Sequence, residues 1–326
     1  MELHMRLKII GTGSYLPEKI ATNDHMAQLV ETNDEWISTR TGIKQRHLVS
    51  SSEENTTYMA IQAAKKALAD SGLQAEDIDV ILVATVSSDY VTPSTACMVQ
   101  KELGASHAVS FDINAACAGF LFGLNTVDAY FRCGVYQTAL IIGVETLSKI
   151  VDWSDRSTCV LFGDGAGAVI AKADESGMIA CLQGSDGTHA EVLSCKARSN
   201  NNPYISTDKN LDYVFMNGQE VFKFAVRKVP ECLNLLLEQA NLTLEDVDYY
   251  LLHQANYRIL TSIAKKLHLP MDKFPSNVDR CGNTSAASIP ILLDELNHEG
   301  VLKEGSILFL SGFGAGLTWG AALLKW

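Results

Sequence analysis

Cys117 lies in Asp112-Ile113-Asn114-Ala115-Ala116-Cys117-Ala118-Gly119-Phe120, a turn of small residues between an apolar strand and an apolar helix. Such a turn puts the thiol at or near a helix N-terminus, where unpaired N–H groups and the helix dipole favour the thiolate. A thiolate held this way is a nucleophile suited to an acyl group. Three further segments are candidates to serve it. His253 ends the apolar run of Leu251-Leu252-His253-Gln254-Ala255-Asn256, and Asn283 stands in Cys281-Gly282-Asn283-Thr284-Ser285. Ser311-Gly312-Phe313-Gly314-Ala315-Gly316 is a glycine-rich turn whose backbone N–H groups can point inward, so that one of them and the N–H of Cys117 could hold an acyl oxyanion. Taken singly, each piece also fits a plain structural role: a buried small thiol, a hydrogen-bonded core histidine, a hairpin bend.

The elements that must bring these segments together read as a diluted repeat. At an offset of 169, Leu68, Leu73, Glu76, Asp77, Asp79 and Leu82 fall on Leu237, Leu242, Glu245, Asp246, Asp248 and Leu251. The same offset takes Asn114 to Asn283, Cys117 to Ala286 and Ala118 to Ala287. Ala60, Ala63, Ala64, Ala67 and Leu68 form a helical stripe ended by Gly72, with Asn241 in the matching place. Pro230 is expected to interrupt the second copy of that helix. Strands are expected at 7–11, 80–85, 108–112, 139–144, 160–171, 249–252, 307–311 and 318–324. Helices are expected at 56–71, 95–103, 117–132, 220–239, 257–267 and 286–298. Short apolar strands between amphipathic helices imply an α/β fold with buried sheets. Residues 1–174 and 175–326 are the expected halves, the first carrying the thiol and the second the imidazole and carboxamide. The polar stretch 194–213 reads as a surface excursion between them.

Composition narrows the class. The 326 residues carry 26 Lys and Arg against 38 Asp and Glu, a net charge of −12, which argues against a broad nucleic-acid-binding face. The eight cysteines are scattered without a metal-site spacing, so reduced thiols and no bound metal are expected. No apolar run reaches membrane-spanning length, and the N-terminus has no signal-peptide pattern, so a cytoplasmic protein is expected. Gly163-Asp164-Gly165-Ala166-Gly167 lacks the Lys-Ser/Thr of a P-loop, and Gly11-Thr12-Gly13-Ser14-Tyr15-Leu16 lacks the third glycine of a dinucleotide fingerprint. Close backbone packing is the better role for both, and a dinucleotide-dependent dehydrogenase is disfavoured.

Together the segments are specific. Asn114 to Phe120, His253-Gln254-Ala255-Asn256, Gly282-Asn283-Thr284-Ser285 and Gly314-Ala315-Gly316-Leu317-Thr318-Trp319-Gly320 closely resemble β-ketoacyl-acyl-carrier-protein synthase III. So do Gly13 to Pro17, Asp34 to Ile43 and Phe162 to Gly167, and the resemblance runs in order from about Leu7 to Trp326. It implies a thiolase-like fold of two pseudo-symmetric βα halves layered αβαβα. It also implies decarboxylative Claisen condensation of a short acyl-CoA primer with malonyl-acyl-carrier-protein through an acyl-Cys intermediate. Asn283 separates the chain from elongating relatives with two histidines and from thiolases with a second cysteine.

The resemblance assigns roles residue by residue. Cys117 is the nucleophile, His253 and Asn283 donate hydrogen bonds to the donor's thioester oxygen, and the N–H groups of Cys117 and Ala315 hold the acyl oxygen. Thr32, Trp36, Arg40 and Arg156 would meet CoA. Lys223, Gln254, Ala255, Asn256, Tyr257, Arg258, Lys265 and Lys266 would meet the acidic carrier protein. Phe313 and Thr92 would line the acyl pocket, with Thr92 reaching the partner subunit of a homodimer. Thr92 stands where relatives commonly carry Phe, which implies altered or broader primer preference. Acyl-CoA is a substrate here, and no cofactor is implied. Related ketosynthases of specialised polyketide or quinolone pathways share the triad and remain the alternative. A non-catalytic partner subunit of the same fold is disfavoured because all three residues are present.

Overall fold

The computed structural model describes residues 5–197, 199–205 and 212–326. Val80–Ala84 is apolar and buried at every position, as a strand covered on both faces must be. It belongs to a five-stranded sheet made of β1 (Arg6–Tyr15), β2 (Val80–Ala84), β3 (Val109–Ile113), β4 (Thr138–Glu145) and β5 (Gly165–Asp174), in the order β1-β5-β4-β2-β3. A second sheet contains β6 (Met178–Ser185), β7 (Tyr249–Leu252), β8 (Ile307–Gly314) and β9 (Thr318–Lys325), in the order β7-β8-β9-β6. Strand directions correspond throughout: β2 and β4 pair in parallel, as do β7 and β8, and the remaining pairs toward β1 and β6 are antiparallel.

The longer helices among the described residues are α1 (Asp34–Thr41), α2 (Thr56–Ser71), α3 (Thr95–Leu103), α4 (Gly119–Arg132), α5 (Gly218–Ala240), α6 (Tyr257–Leu267) and α7 (Ser288–His298). Alternate side chains of each strand enter different cores, and this alternation builds the layers. Ile81 and Val83 of β2 pack with α2 and α3, whereas Val80 and Leu82 face α4 and α7 in the centre. Leu308 and Leu310 of β8 face the same central helices, and Phe309 turns to α5 and α6. The result is five layers, αβαβα.

The 169-residue offset holds in space. It carries β4 onto β8 and the first residue of α4 onto the first of α7. At Gly143 a Cβ would lie 2.2 Å from Ala286 O, so glycine lets the two halves touch there.

Two expectations are corrected, and two further elements carry no clear sequence pattern. Residues 160–164 are not strand: Arg156–Cys159 is a helical turn, and β5 starts at Gly165. Asp164 bends the chain there, accepting from Val49 N, Ser148 N and Ser148 Oγ. Pro230 does not break α5, which runs through it with a buried apolar face. The strand β6 was not foreseen because it lies at a sheet edge, half-covered, and mixes polar with apolar residues. The helix α1 has no apolar stripe; it is set by its caps, with Asn33 accepting from Trp36 N and Gly42 in the left-handed conformation.

Candidate active site

Residues Ala116–Ala118 form a single 3-10 turn, and α4 begins at Gly119, so Cys117 sits just ahead of the helix. Ala116 takes φ 47° to make that turn, an uncommon conformation for a residue with a Cβ. The helix end does not by itself hold Cys117 as a thiolate. Burial pushes the thiol up to about 12, and the nearby Glu145 charge acts in the same direction. Cys117 retains accessible surface only in part, and it lines the cavity described below.

The second half supplies the facing groups. Asn283 donates its N–H to Leu161 O at 2.9 Å, and its own carbonyl accepts from Gly163 N at 3.0 Å. Its side-chain Oδ1 accepts from Ser285 N at 2.9 Å, which leaves Nδ2 as the donor available to a ligand. His253 continues from β7 and is held by its N–H on Ser311 O at 2.9 Å. Its ring stands edge-on to Phe313 at 5.4 Å. Nδ1 lies 2.7 Å from Ser288 Oγ, and the same oxygen accepts from Gln254 N at 3.3 Å. Ser288 Oγ keeps its own proton to offer Nδ1, and the tautomer that accepts it carries the imidazole proton on Nε2. Burial lowers His253 to about 3, so the ring is neutral.

The β8–β9 hairpin presses on the nucleophile turn. Thr318 Oγ1 donates to Ala115 O at 2.9 Å, and a Cβ on Gly314 would stand 2.7 Å from Cys117 N. Glycine is required for that approach. Ala315 follows in the same hairpin and lines the cavity.

A cavity of 1230 Å³ joins these groups: Cys117, His253, Asn283, Phe313 and Ala315 all line it, as do Trp36 and Arg40. The Trp36 ring has two cationic neighbours, with the Arg40 guanidinium 4.6 Å and the Arg156 guanidinium 4.7 Å from its centre. Arg156 also donates to Glu31 O at 2.8 Å and is not itself in the lining. Thr32 is outside the lining too, and its hydroxyl is buried without a partner.

The carrier-facing set divides. Tyr257, Arg258, Lys223, Lys265 and Lys266 are exposed, and Ala255, Asn256 and Arg258 line the cavity. Lys223 is paired with Glu220 at 2.8 Å, and Lys266 donates to Val226 O at 3.3 Å. Gln254 does not belong to a docking surface. It is 1% exposed, and its amide is spent on Leu252 O, Ser276 Oγ and Asn277 N. Thr92 is exposed and outside the cavity of its own chain, whereas Phe313 is within it.

Sequence reasoning missed several residues. The excursion between the halves is not simply surface: Leu193–Ser194 pairs with Phe215–Met216, and 193–197 form part of the cavity wall. Residues 198 and 206–211 of that excursion lie outside the described residues. Ser288 and Glu145 carried no motif; the 169-residue offset applied to Gly119 reaches Ser288, the one signal that could have drawn attention to it. Among the described residues, no cluster of His, Cys, Asp and Glu fits a metal ion, and no helix is long and apolar enough to cross a membrane.

Comparison with known proteins bears on the whole chain. Residues 111–187 match the family described as 3-oxoacyl-[acyl-carrier-protein (ACP)] synthase III, and residues 237–326 match its C-terminal counterpart. The β-ketoacyl-[acyl-carrier-protein] synthase III of Clostridium acetobutylicum is 52% identical over 323 residues, covering 98% of each chain. The crystal structure of 3-oxoacyl-[acyl-carrier-protein] synthase III from Aquifex aeolicus superposes with a TM-score of 0.92 at 45% identity, covering 98% of this chain and 100% of that one. The priming β-ketosynthase of the R1128 polyketide pathway superposes at 0.91 with 32% identity, covering 99% and 97%.

Proposed function

The chain belongs to the β-ketoacyl-acyl-carrier-protein synthase III family, and we propose that Cys117, His253 and Asn283 carry out that family's condensation to start fatty-acid synthesis. It is a condensing acyltransferase. The observation that carries the residue assignment is the single cavity lined by a thiol, a neutral imidazole and a carboxamide whose Nδ2 is available.

The substrates assigned are a short acyl-CoA and malonyl-acyl-carrier-protein. The acyl group moves from CoA to Cys117 Sγ while the N–H groups of Cys117 and Ala315 hold its oxygen. CoA leaves, and the malonyl donor enters. As CO2 departs, negative charge gathers on the donor's thioester oxygen. His253 Nε2–H and Asn283 Nδ2–H donate to it, and a neutral, pre-oriented imidazole suits that work because it need not reorganise. The carbanion then attacks the acyl thioester and releases the 3-ketoacyl product. The neutral state of His253 supports hydrogen-bond donation over charge–charge attraction.

Trp36 and Arg40 fit the adenine and phosphates of CoA, with the Arg156 guanidinium also against the indole. Arg258 at the cavity and Lys265 beside it on α6 fit an acidic carrier. No resident cofactor enters the scheme. The reading further assigns a cytoplasmic homodimer, divides the chain into halves 1–174 and 175–326, and gives Thr92 to the partner's acyl pocket. The higher identity to the β-ketoacyl-[acyl-carrier-protein] synthase III of Clostridium acetobutylicum than to the polyketide priming enzyme favours primary over specialised metabolism.

Intact mass spectrometry after incubation with acetyl-CoA tests the scheme. One acetyl adduct is expected, absent in Cys117→Ala, followed by CO2 release when malonyl-carrier protein is added. An adduct that persists in Cys117→Ala overturns the assignment.

A further inference from the structure

The main chain of Asn283 is fixed on both sides, by Leu161 O at 2.9 Å and Gly163 N at 3.0 Å. The end of its side chain is another matter, because a carboxamide has a broad last torsion and two ends of nearly the same shape. Turned over, it would offer the donor's thioester oxygen an acceptor in place of an N–H. Ser285 N–H opposes this by donating to Oδ1 at 2.9 Å, since the reversed carboxamide would set donor against donor. That N–H is aimed by a left-handed turn at Ser285, where φ is 50°, uncommon for a residue with a Cβ.

Glu145 holds the turn. It ends β4 in the other half, is fully buried, and has no part in the scheme above. Val86 N and the hydroxyls of Thr85 and Ser87 donate to its carboxylate and anchor it on the first half. Ser285 Oγ donates to Oε1 at 3.1 Å from the second half, and its one proton is spent there. The molecule also contains an untethered copy of the turn. The 169-residue offset pairs Asn114 with Asn283, Ala116 with Ser285, and Glu145 with Gly314. Ala116 N donates to Asn114 Oδ1 at 3.3 Å, with a methyl in place of the hydroxyl and a glycine in place of the glutamate. The tethered copy holds its carboxamide at 2.9 Å.

We propose that Glu145 is a positioning residue: through Ser285 it keeps the Asn283 carboxamide turned so that Nδ2–H meets the donor's thioester oxygen. The proposal rests on the role given to Asn283 in decarboxylation. Burial raises Glu145 to about 7, so near neutrality the carboxyl is found both ionised and neutral, and an oxygen is open to Ser285 in each form. The tether therefore needs an acceptor oxygen at 145 rather than a charge.

The test uses the full chain with Ser285→Ala, Glu145→Leu, Glu145→Gln, Asn283→Ala and the double variant of Ser285→Ala with Asn283→Ala. Alanine suits position 285 because Ala116 holds the same backbone. Two half-reactions are read, the acetyl-CoA burst at Cys117 and 14CO2 release from malonyl-carrier protein. Ser285→Ala and Glu145→Leu should each lower kcat for CO2 release about tenfold, with the burst and the KM for the carrier unchanged. Glu145→Gln still presents a carbonyl oxygen and should recover most of the rate. Asn283→Ala should lose about 100-fold, and the double variant no more than that, because Ser285 acts through Asn283. Losses that multiply in the double variant, a burst that falls along with CO2 release, or a Glu145→Gln protein as slow as Glu145→Leu overturn the positioning role. If Asn283→Ala releases CO2 at the parent rate, the functional reading fails and the proposal with it. If Asn283→Ala is slow and Ser285→Ala is not, the tether alone fails. Should Glu145→Leu not fold, Ser285→Ala and the double variant decide.

Discussion

Ala116 and Ser285 are counterparts 169 positions apart, and both hold a left-handed backbone, with φ 47° and 50°. Each opens the 3-10 turn that precedes a central helix, α4 in one half and α7 in the other. The same twist therefore does two jobs. It delivers the thiol of the next residue in the first half and a hydroxyl in the second, and Cys117 and Ser285 both line the cavity.

That conformation makes position 116 sensitive to side-chain shape. Ala116→Val should lower stability by about 2 kcal/mol, since a β-branched residue is poorly accommodated at positive φ. Ala116→Gly should leave it within about 1 kcal/mol of the parent. Urea denaturation of both variants checks the contrast; equal losses would mean that backbone strain is not the cause.

The hairpin contact gives a second prediction. Gly314→Ala places a Cβ 2.7 Å from Cys117 N and 3.1 Å from its Cβ. Backbone must move to admit it, at a cost of about 1–3 kcal/mol. Acylation by acetyl-CoA should slow about tenfold or more, as misplacement by a fraction of an ångström costs rate. The acyl-enzyme burst reads this directly, and an undiminished burst counts against a backbone oxyanion site here.

Ser288 should act on one half-reaction. Ser288→Ala frees Nδ1 of His253 and the N–H of Gln254, so the imidazole can place its proton on either nitrogen. Decarboxylation of malonyl-carrier protein should fall about tenfold or more while acylation of Cys117 holds. Measuring 14CO2 release beside the acylation burst separates them; equal losses in both would indicate a general packing defect.

The pH dependence of stability carries two opposed slopes. The unfolded chain takes a proton on His253 below 6.5, which the folded chain refuses down to about 3, so stability falls as pH falls through that window. Folded Glu145 keeps its proton up to about 7, whereas the unfolded chain sheds it above 4.5, so its contribution fades as pH rises from 4.5 to 7. Between 4.5 and 6.5 the two oppose. Removing one in Glu145→Gln should make stability climb more steeply with pH across that interval. Denaturation curves at both ends of it, compared with the parent, give the answer.

Arg258 offers the clearest handle on the carrier. It is exposed at the cavity, above the Phe222 ring, and among the described residues its guanidinium has no hydrogen bond like the one that ties Lys266 to Val226 O. Arg258→Glu should raise KM for malonyl-carrier protein about tenfold, leave kcat near the parent, and lose its effect at high salt. An unchanged KM at low salt would place the carrier elsewhere.

The local chemistry was legible in the chain itself. The alanine stripe and Gly72 define α2 to the residue, the strand 249–252 likewise, and the repeat foretells two like halves because periodicity and breakers are local properties. The family resemblance in the sequence singles out Cys117, His253 and Asn283. Folding decided what those groups are. Only packing could show that the thiol is pushed up rather than down, that Ser288 contacts Nδ1 of the imidazole, that Gln254 is buried, and that Glu145 lies behind Ser285. Protonation and orientation depend on burial and on partners 35 to 140 residues away, and no short stretch of sequence encodes a distance or a dielectric.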